Sequence, residues 1–349
     1  MPLLFGNWLI WLNSELNHPP YIHRRQLSML VSTGKPVTIG TAILTFSHWE
    51  TVMTIKTYLV TGASGKLGQG VVAELRKLLP ASQIVVSGRS QEKLAHYAQQ
   101  GIETRVADFA DSNSLEAAFT GIDAMLLISA DAIGSRTELH RNAIAAADKA
   151  GVKHLVYTSM PVPNSSPVTF AHEHQASEQA IELSQIPSWT IVRNNWYFEN
   201  LLELQSANLA GHWLTSAAGG KVAHIGRNDL ALAAAKALVS PASGKRTLTL
   251  NGLESLTVDE MVATLNRHTA LAIETVHVSD DSFVEKLKGF GLPEAIAQMS
   301  VSFDRHGREG HGEGSSDEFE ALTGRKPMSF EQWVMENKVA LEAAAKATQ

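Results

Sequence analysis

The stretch Tyr58 to Val72, YLVTGASGKLGQGVV, decides the fold. An apolar run stops at Gly62, Gly65 and Gly68 and resumes with helical spacing. A strand that ends in such a turn and opens a helix leaves the first N–H groups of that helix unpaired, which suits an anion. Gly62 permits the tight turn, Gly65 lets backbone approach a pyrophosphate, and Gly68 lets the helix lie close on the sheet. Ser64, Lys66 and Leu67 complete the turn and share its candidate cofactor-binding role.

Outward from this turn, short β-rich runs alternate with helical ones. The runs at 57–62, 83–88, 104–109, 124–129, 154–159 and 189–194 read as strands, and 67–78, 91–100, 112–120, 136–150 and 170–184 as the helices between them. The strands are nearly continuous apolar runs, as expected where helices cover both faces. The pattern is α/β: a Rossmann-type doubly wound parallel sheet over 53–195, followed by a smaller C-terminal α/β substrate lobe in 196–349, with some segments returning to the first domain. RTLTLNG (246–252), an amphipathic helix at 257–268 and the apolar segment 287–299 are expected in that lobe, and an alanine-rich helix closes the chain at 332–347. Residues 1–52 carry no sustained period and read as a poorly ordered extension or a start-site artefact, with Met53 opening the functional unit.

Composition removes whole classes of chemistry. The 349 residues include no cysteine, so disulfides, thiolate metal sites and a cysteine nucleophile are excluded. Net charge is −6 and the one dense basic cluster is His23–Arg25, too little for a nucleic-acid surface. No apolar run reaches membrane-spanning length, and the expected location is cytoplasmic. A homo-oligomer is compatible with everything in the chain.

The end of the second strand bears on which dinucleotide binds. An NAD site places Asp or Glu there for the ribose 2′-hydroxyl, whereas this chain has Arg89, whose fork of donors suits a 2′-phosphate. NADP(H) is therefore expected, the alternative being that Arg89 is a solvated surface residue. Asp108 reads either as an acceptor from the adenine amino group or as a helix N-cap.

The linked motifs LVTGASGKLG, QIVVSGR, LLISA, HRNAIAAADKAGVKHLVYTS and IVRNNWYFEN, in this order, resemble the NmrA-like branch of the atypical short-chain dehydrogenases, on the side of bacterial NADPH:quinone oxidoreductases. The glycine spacing G-A-S-G-K-L-G is that of the extended short-chain type. The resemblance covers roughly 53–349 and implies NADPH, a quinone-like small-molecule acceptor, and a cofactor-side role for Asn194 to Glu199 and for Arg227. It also implies a second reading, because the fungal founder of the family senses dinucleotides without turnover. Asn194, Asn195, Trp196 and Tyr197 follow the sixth strand, where open α/β sheets bind ligands, and the aromatic rings suit a flat partner, or else form an interdomain core. Ser129 and Ser159 end the fourth and fifth strands, as ribose contacts or helix caps.

His174 and Tyr197 are the candidates for positioning the acceptor, His174 having a surface histidine as its alternative. Short-chain dehydrogenases protonate a carbonyl with a Tyr whose pKa is lowered by a Lys four residues on. Here Tyr21, Tyr58, Tyr97, Tyr157 and Tyr197 are followed at that distance by Arg25, Gly62, Gly101, Pro161 and Leu201. The missing pair favours acceptors that stabilise their own negative charge. His306 and His311 lie in a glycine-rich stretch read as solvated, and 302–316 as a mobile flap or plain disorder; no metal is expected.

Overall fold

The computed structural model describes residues 29–30, 36–37, 57–240 and 244–347. The chain divides into two units, Met1–Val52 and Met53–Gln349. In the first, β1 (Met29–Leu30) and β2 (Pro36–Val37) form an antiparallel pair. Otherwise the expectations for residues 1–52, His23–Arg25 and Met53 included, lie outside the described residues.

The second unit is built on seven parallel strands. These are β3 (Tyr58–Val60), β4 (Ile84–Gly88), β5 (Glu103–Val106), β6 (Ala124–Leu127), β7 (His154–Ser159), β8 (Ser188–Asn194) and β10 (Lys245–Leu250). They run in the order β10-β8-β7-β6-β3-β4-β5, so the chain reverses direction across the sheet at the β3/β6 seam. That is the switch point outside which doubly wound sheets bind ligands. The residues of β3, β6 and β7 are all buried, whereas β5 and β10, at the two edges, carry partly exposed Glu103, Lys245 and Arg246.

Helices cover both faces. On one face α1 (Lys66–Leu78) presents Leu67, Val71, Val72 and Leu75, and α7 (Arg227–Val239) packs beside it through a nearly continuous small-residue surface, Ala231 to Ala237. On the other, α3 (Ser112–Phe119), α4 (Arg136–Lys149) and α5 (Ala171–Leu183) bury Phe119, Ile144 and Ile181. Helix α2 (Gln91–Ala98) links β4 to β5.

The lobe comprises α6 (Asn200–Glu203), β9 (His212–Thr215), α8 (Val258–His268), β11 (Glu274–His277), α9 (Asp280–Gly289), α10 (Glu294–Arg308) and α12 (Phe330–Ala347). β9 and β11 pair in parallel, and Phe198, Trp213, Leu265, Phe330 and Trp333 form the lobe's core.

Two expectations are corrected. RTLTLNG does not belong to the lobe: Lys245–Leu250 pairs with Trp189–Asn194 as the seventh strand, with α11 (Asp317–Thr323) beside it. A β-rich run says nothing of which sheet it joins. Nor is 302–316 a flap or disordered. Its first half is the last turns of α10, and the remainder is strapped down: Ala223 N donates to Gly312 O at 2.8 Å, and Asn251 Nδ2 donates to Ser315 O at 3.2 Å. A Cβ at Gly314 would lie 2.0 Å from Asn251 Nδ2, so glycine here serves close packing and not mobility.

Candidate functional site

The turn after β3 stands at the switch point. Gly62 has φ +61°, in the left-handed region open to glycine. Gly65 is the N-cap of α1 with no side-chain cap, and Gly62, Gly65 and Lys66 are exposed. A Cβ at Gly68 would meet Gly62 O at 2.5 Å, so only glycine seats α1 on the turn. Support comes from beneath: Thr61 Oγ1 donates to Leu126 O and accepts from Ile128 N, both at 3.0 Å, and Tyr97 Oη donates to Ala63 O at 2.9 Å. Burial pushes the Tyr97 phenol up to about 12, so it remains a donor. Backbone that approaches closely, an uncapped helix N-terminus and a rigid floor fit a pyrophosphate.

Beside the turn, Arg89 follows β4, exposed and with no hydrogen bond or ion pair among the described residues. Asp108 lies two residues past β5, where its Oδ1 accepts from Ala110 N at 3.0 Å. The N-cap of α3 is Asp111, which corrects the capping alternative for Asp108.

On the other side of the seam, between β6, β7, α4 and α5, lies a chain of buried polar side chains that sequence reading missed. Ala130 N stands 2.9 Å from His140 Nε2. A backbone N–H only donates, so this nitrogen accepts and the His140 proton sits on Nδ1, 2.8 Å from Ser177 Oγ. Arg136 Nη1 stands 3.2 Å from His174 Nε2. A guanidinium also only donates, so His174 carries its proton on Nδ1 and gives it to Tyr157 Oη at 2.8 Å. Burial, then the Arg136 charge, holds both histidines neutral: His140 is lowered to about 3, and His174 falls well below the ordinary range. Burial likewise pushes the Tyr157 phenol up. The network ends on one loop, where Arg136 Nε donates to Ala130 O at 2.8 Å, Gly134 N to Glu173 Oε1 at 2.9 Å, and Ser129 N to Thr158 Oγ1 at 2.8 Å.

This geometry corrects two assignments. His174 is 5% exposed and both its ring nitrogens are committed within the protein, so it is neither a surface histidine nor a substrate contact. Ser159 is buried and donates to Glu178 Oε1 at 2.7 Å, a carboxylate that Arg193 also grips at 2.9 and 2.6 Å; its proton is not offered to a ribose. Ser129 is half-buried at the loop's start. The signal for the network was polar spacing of four within amphipathic helices: Arg136/His140 and Glu173/Ser177.

The segment after β8 divides by residue. Asn195 is 1% exposed, donates to Asn251 Oδ1 at 2.8 Å and to Gly312 O at 2.9 Å, and accepts from Trp196 N at 2.8 Å. It is a staple between β8, β10 and the strap, which corrects its assignment to the cofactor. Asn194 is buried with Oδ1 unpartnered among the described residues. Burial pushes the neighbouring Tyr197 phenol up, opposed by the Asn194 side chain and the Arg227 charge. Trp196 packs on Phe303 and His306, ring centroids 5.2 Å away in each case. His306 is fully buried, with Nδ1 2.7 Å from Ser166 Oγ and its pKa lowered to about 4 by burial, so it is not solvated. No group of three metal-ligating side chains occurs among the described residues.

Lys66, Tyr197 and Arg227 come together. The Arg227 guanidinium lies 5.4 Å from the Tyr197 ring centroid and forks on Glu203 at 2.9 and 2.8 Å, while Lys66 Nζ meets the same carboxylate at 2.8 Å. Glu203 was not singled out from sequence; its signal was an acidic pair, Glu199 and Glu203, one helical turn apart after the aromatic segment.

The chain has relatives among known proteins and solved structures. The NmrA-like family model matches residues 54–334. Quinone oxidoreductase 2 of Escherichia coli (strain K12) is 37% identical over 246 residues, which cover 70% of this chain and 86% of that protein. Among solved structures, an NADPH-dependent quinone oxidoreductase from Escherichia coli complexed with NADPH superposes with a TM-score of 0.76 at 34% identity, covering 80% of this chain and 99% of that one. The triphenylmethane reductase of Citrobacter sp. complexed with NADP(H) gives 0.73 at 31%, covering 84% and 100%.

Proposed function

The chain belongs to the NmrA-like family, and on that premise we propose that this NAD(P)H-dependent oxidoreductase transfers hydride to quinones or similar flat conjugated acceptors. Its cofactor is NADP(H). In this reading the pyrophosphate lies over Gly62, Gly65 and the α1 N-terminus, with Ser64, Lys66 and Leu67 in the same turn. Arg89 takes the 2′-phosphate and Asp108 lies by the adenine. Ser129, Asn194, Trp196 and Tyr197 line the nicotinamide side, and Arg227 lies with Lys66 on the phosphate side. Residues 53–195, with α7, β10 and α11, form the dinucleotide domain, and the remaining C-terminal segments shape the acceptor side.

One observation carries the choice of acceptor: burial pushes up the phenols of both Tyr157 and Tyr197, so neither is primed as an acid. Tyr157 accepts from His174 and burial pushes its phenol up, while both neighbouring histidines are held neutral. When bound, NADPH supplies the hydride. The chain's own residues hold the reactants: the network from Arg136 to Tyr157 fixes the loop 129–134, and Trp196 and Tyr197 offer aromatic surface. A ketone receiving hydride becomes an alkoxide that needs an acid at once. A quinone becomes a delocalised phenolate that takes its proton from water.

A steady-state assay of NADPH oxidation over a panel of quinones, aliphatic ketones and secondary alcohols, the alcohols run with NADP+, tests the proposal. Turnover confined to the conjugated acceptors is expected. Efficient ketone reduction refutes it, and tight NADP(H) binding with no turnover by any acceptor replaces it with a dinucleotide-sensing role.

A further inference from the structure

The phosphate turn faces a carboxylate. Lys66 opens α1 and Arg227 opens α7, and the only side-chain carboxylate either cation meets among the described residues is Glu203. The geometry is that of phosphate capture: a guanidinium fork at 2.9 and 2.8 Å and an ammonium at 2.8 Å on one anion. Burial pushes the Glu203 carboxyl up, but the hydrogen bonds from Arg227 and Lys66 outweigh it and hold it below its usual range, so the group is ionised. Its neighbour Glu199 accepts from Arg227 N at 3.1 and 3.0 Å, which occupies the first N–H of α7. A dinucleotide phosphate brought to the turn therefore meets two cations already paired with one carboxylate of the chain itself, which leaves a single net positive charge.

Resting on the reading of Gly62–Gly68 as the cofactor site, we propose that Glu203 is an internal stand-in for a cofactor phosphate. It keeps Lys66 and Arg227 extended over the turn while the site is empty of dinucleotide and yields them when the dinucleotide arrives. Two consequences follow. The cations are preorganised, so little side-chain entropy is lost on binding. The exchange of one anion for another also limits affinity, which favours release of the oxidised cofactor after each turnover. A clip serving only to orient Lys66 and Arg227 for the phosphate would have the opposite sign, since removing it would weaken binding.

The experiment is calorimetric titration of NADP+ and NADPH into wild type, Glu203→Gln and Glu203→Ala at low and high salt, with stopped-flow measurement of NADP+ release. Both variants should bind about fivefold to tenfold more tightly, the size of one charge–charge term in a partly solvated site, with the gain shrinking at high salt and release slowing in proportion. The rise in Tm on saturation with NADP+ should be larger in the variants than in wild type. Unchanged or weaker affinity in both overturns the inference while leaving the site in place. Failure of wild type and variants alike to bind NADP(H) overturns the reading of the turn itself. Glu203 is partly exposed, and the Tm of the variants without cofactor verifies folding.

Discussion

Alanine substitution at the three glycines of the turn should separate binding from stability. At Gly65 the backbone has φ −78° and ψ 161°, an ordinary extended region, and an added Cβ would touch only Gly62 O, at 3.3 Å. Stiffening of the unfolded chain contributes about 0.4–1 kcal/mol of stability there, which the close contact offsets. For a unit of this size Tm should therefore move by no more than about 3 °C. The same methyl stands on the exposed side of the turn, where it would hold a pyrophosphate away from the α1 N–H groups. Weakening a single charge-assisted bond, at about 1.5–3 kcal/mol, lowers NADP(H) affinity about tenfold or more. Gly68 reverses the order. Its Cβ would lie 2.5 Å from Gly62 O and 2.8 Å from Ala63 Cα, backbone atoms that cannot swing aside. Overpacking of this kind costs about 1–3 kcal/mol, lowering Tm by about 2–5 °C. Gly62→Ala is intermediate, since φ +61° costs an alanine about 1–2 kcal/mol without a clash. Thermal unfolding and calorimetry on the three variants read both quantities. Wild-type NADP(H) affinity in Gly65→Ala would refute the assignment of the phosphate to this turn.

Further outcomes follow from the same geometry. Arg89→Asp should weaken NADPH about tenfold or more while NADH suffers less; equal loss of both in calorimetry means Arg89 does not read the 2′-phosphate. Asn195→Ala strands Asn251 Oδ1 and Trp196 N, while Gly312 O keeps its bond from Ala223 N, so stability should fall by about 2–4 kcal/mol in denaturant titration with the NADP(H) Kd of the folded fraction little changed. Tyr197→Phe should keep most of kcat, because its ring packs on Arg227 and its phenol is pushed up by burial; a loss of about a thousandfold would assign the hydroxyl a proton-transfer role. His140, lowered to about 3, and His306, lowered to about 4, bind protons in the unfolded chain before they do in the folded one. Their contribution to stability is intact above about pH 6.5 and falls as pH drops from there toward 4, by up to about 1.4 kcal/mol per unit for each histidine; a flat Tm across that window would contradict their burial as neutral groups.

The legible part of the sequence is the part governed by local periodicity. Runs such as AMLLIS and HLVYTS read as buried strands because they are short, mostly apolar or β-favouring and alternate with helical segments, as in a doubly covered sheet, and β6 and β7 lie there. The glycine turn was readable because each glycine answers to a backbone requirement that no other residue meets. What stayed hidden depends on which distant segments meet. Lys245–Leu250 has the composition of any strand, and only its register against Trp189–Asn194 places it in the main sheet. His306 in HGREGHGEG looks solvated by composition, yet α10 continues to Arg308 and turns that ring inward against Trp196. Asn195 sits in a motif next to the cofactor side and still points away from it, because one residue at a strand end is enough to reverse the side of the sheet it faces.

The two halves of the sheet edge handle charge in opposite ways. Around the β3 turn the polar groups are exchangeable: uncapped N–H groups, an exposed Arg89 without a partner among the described residues, and Lys66 and Arg227 lent to one carboxylate. Across the seam the histidine protons are fixed, from Ala130 N on His140 through Ser177, and from Arg136 through His174 to Tyr157. A network with donors fixed at both ends by a backbone amide and a guanidinium has no freedom to pass a proton outward, since moving one would leave a buried donor facing a donor. Under the proposed function this divides the work: the mobile charges meet the cofactor's phosphates, and the locked ones keep the loop 129–134 in place. The protein then orients a reaction whose proton comes from solvent, and the acceptor must carry its own negative charge until that proton arrives.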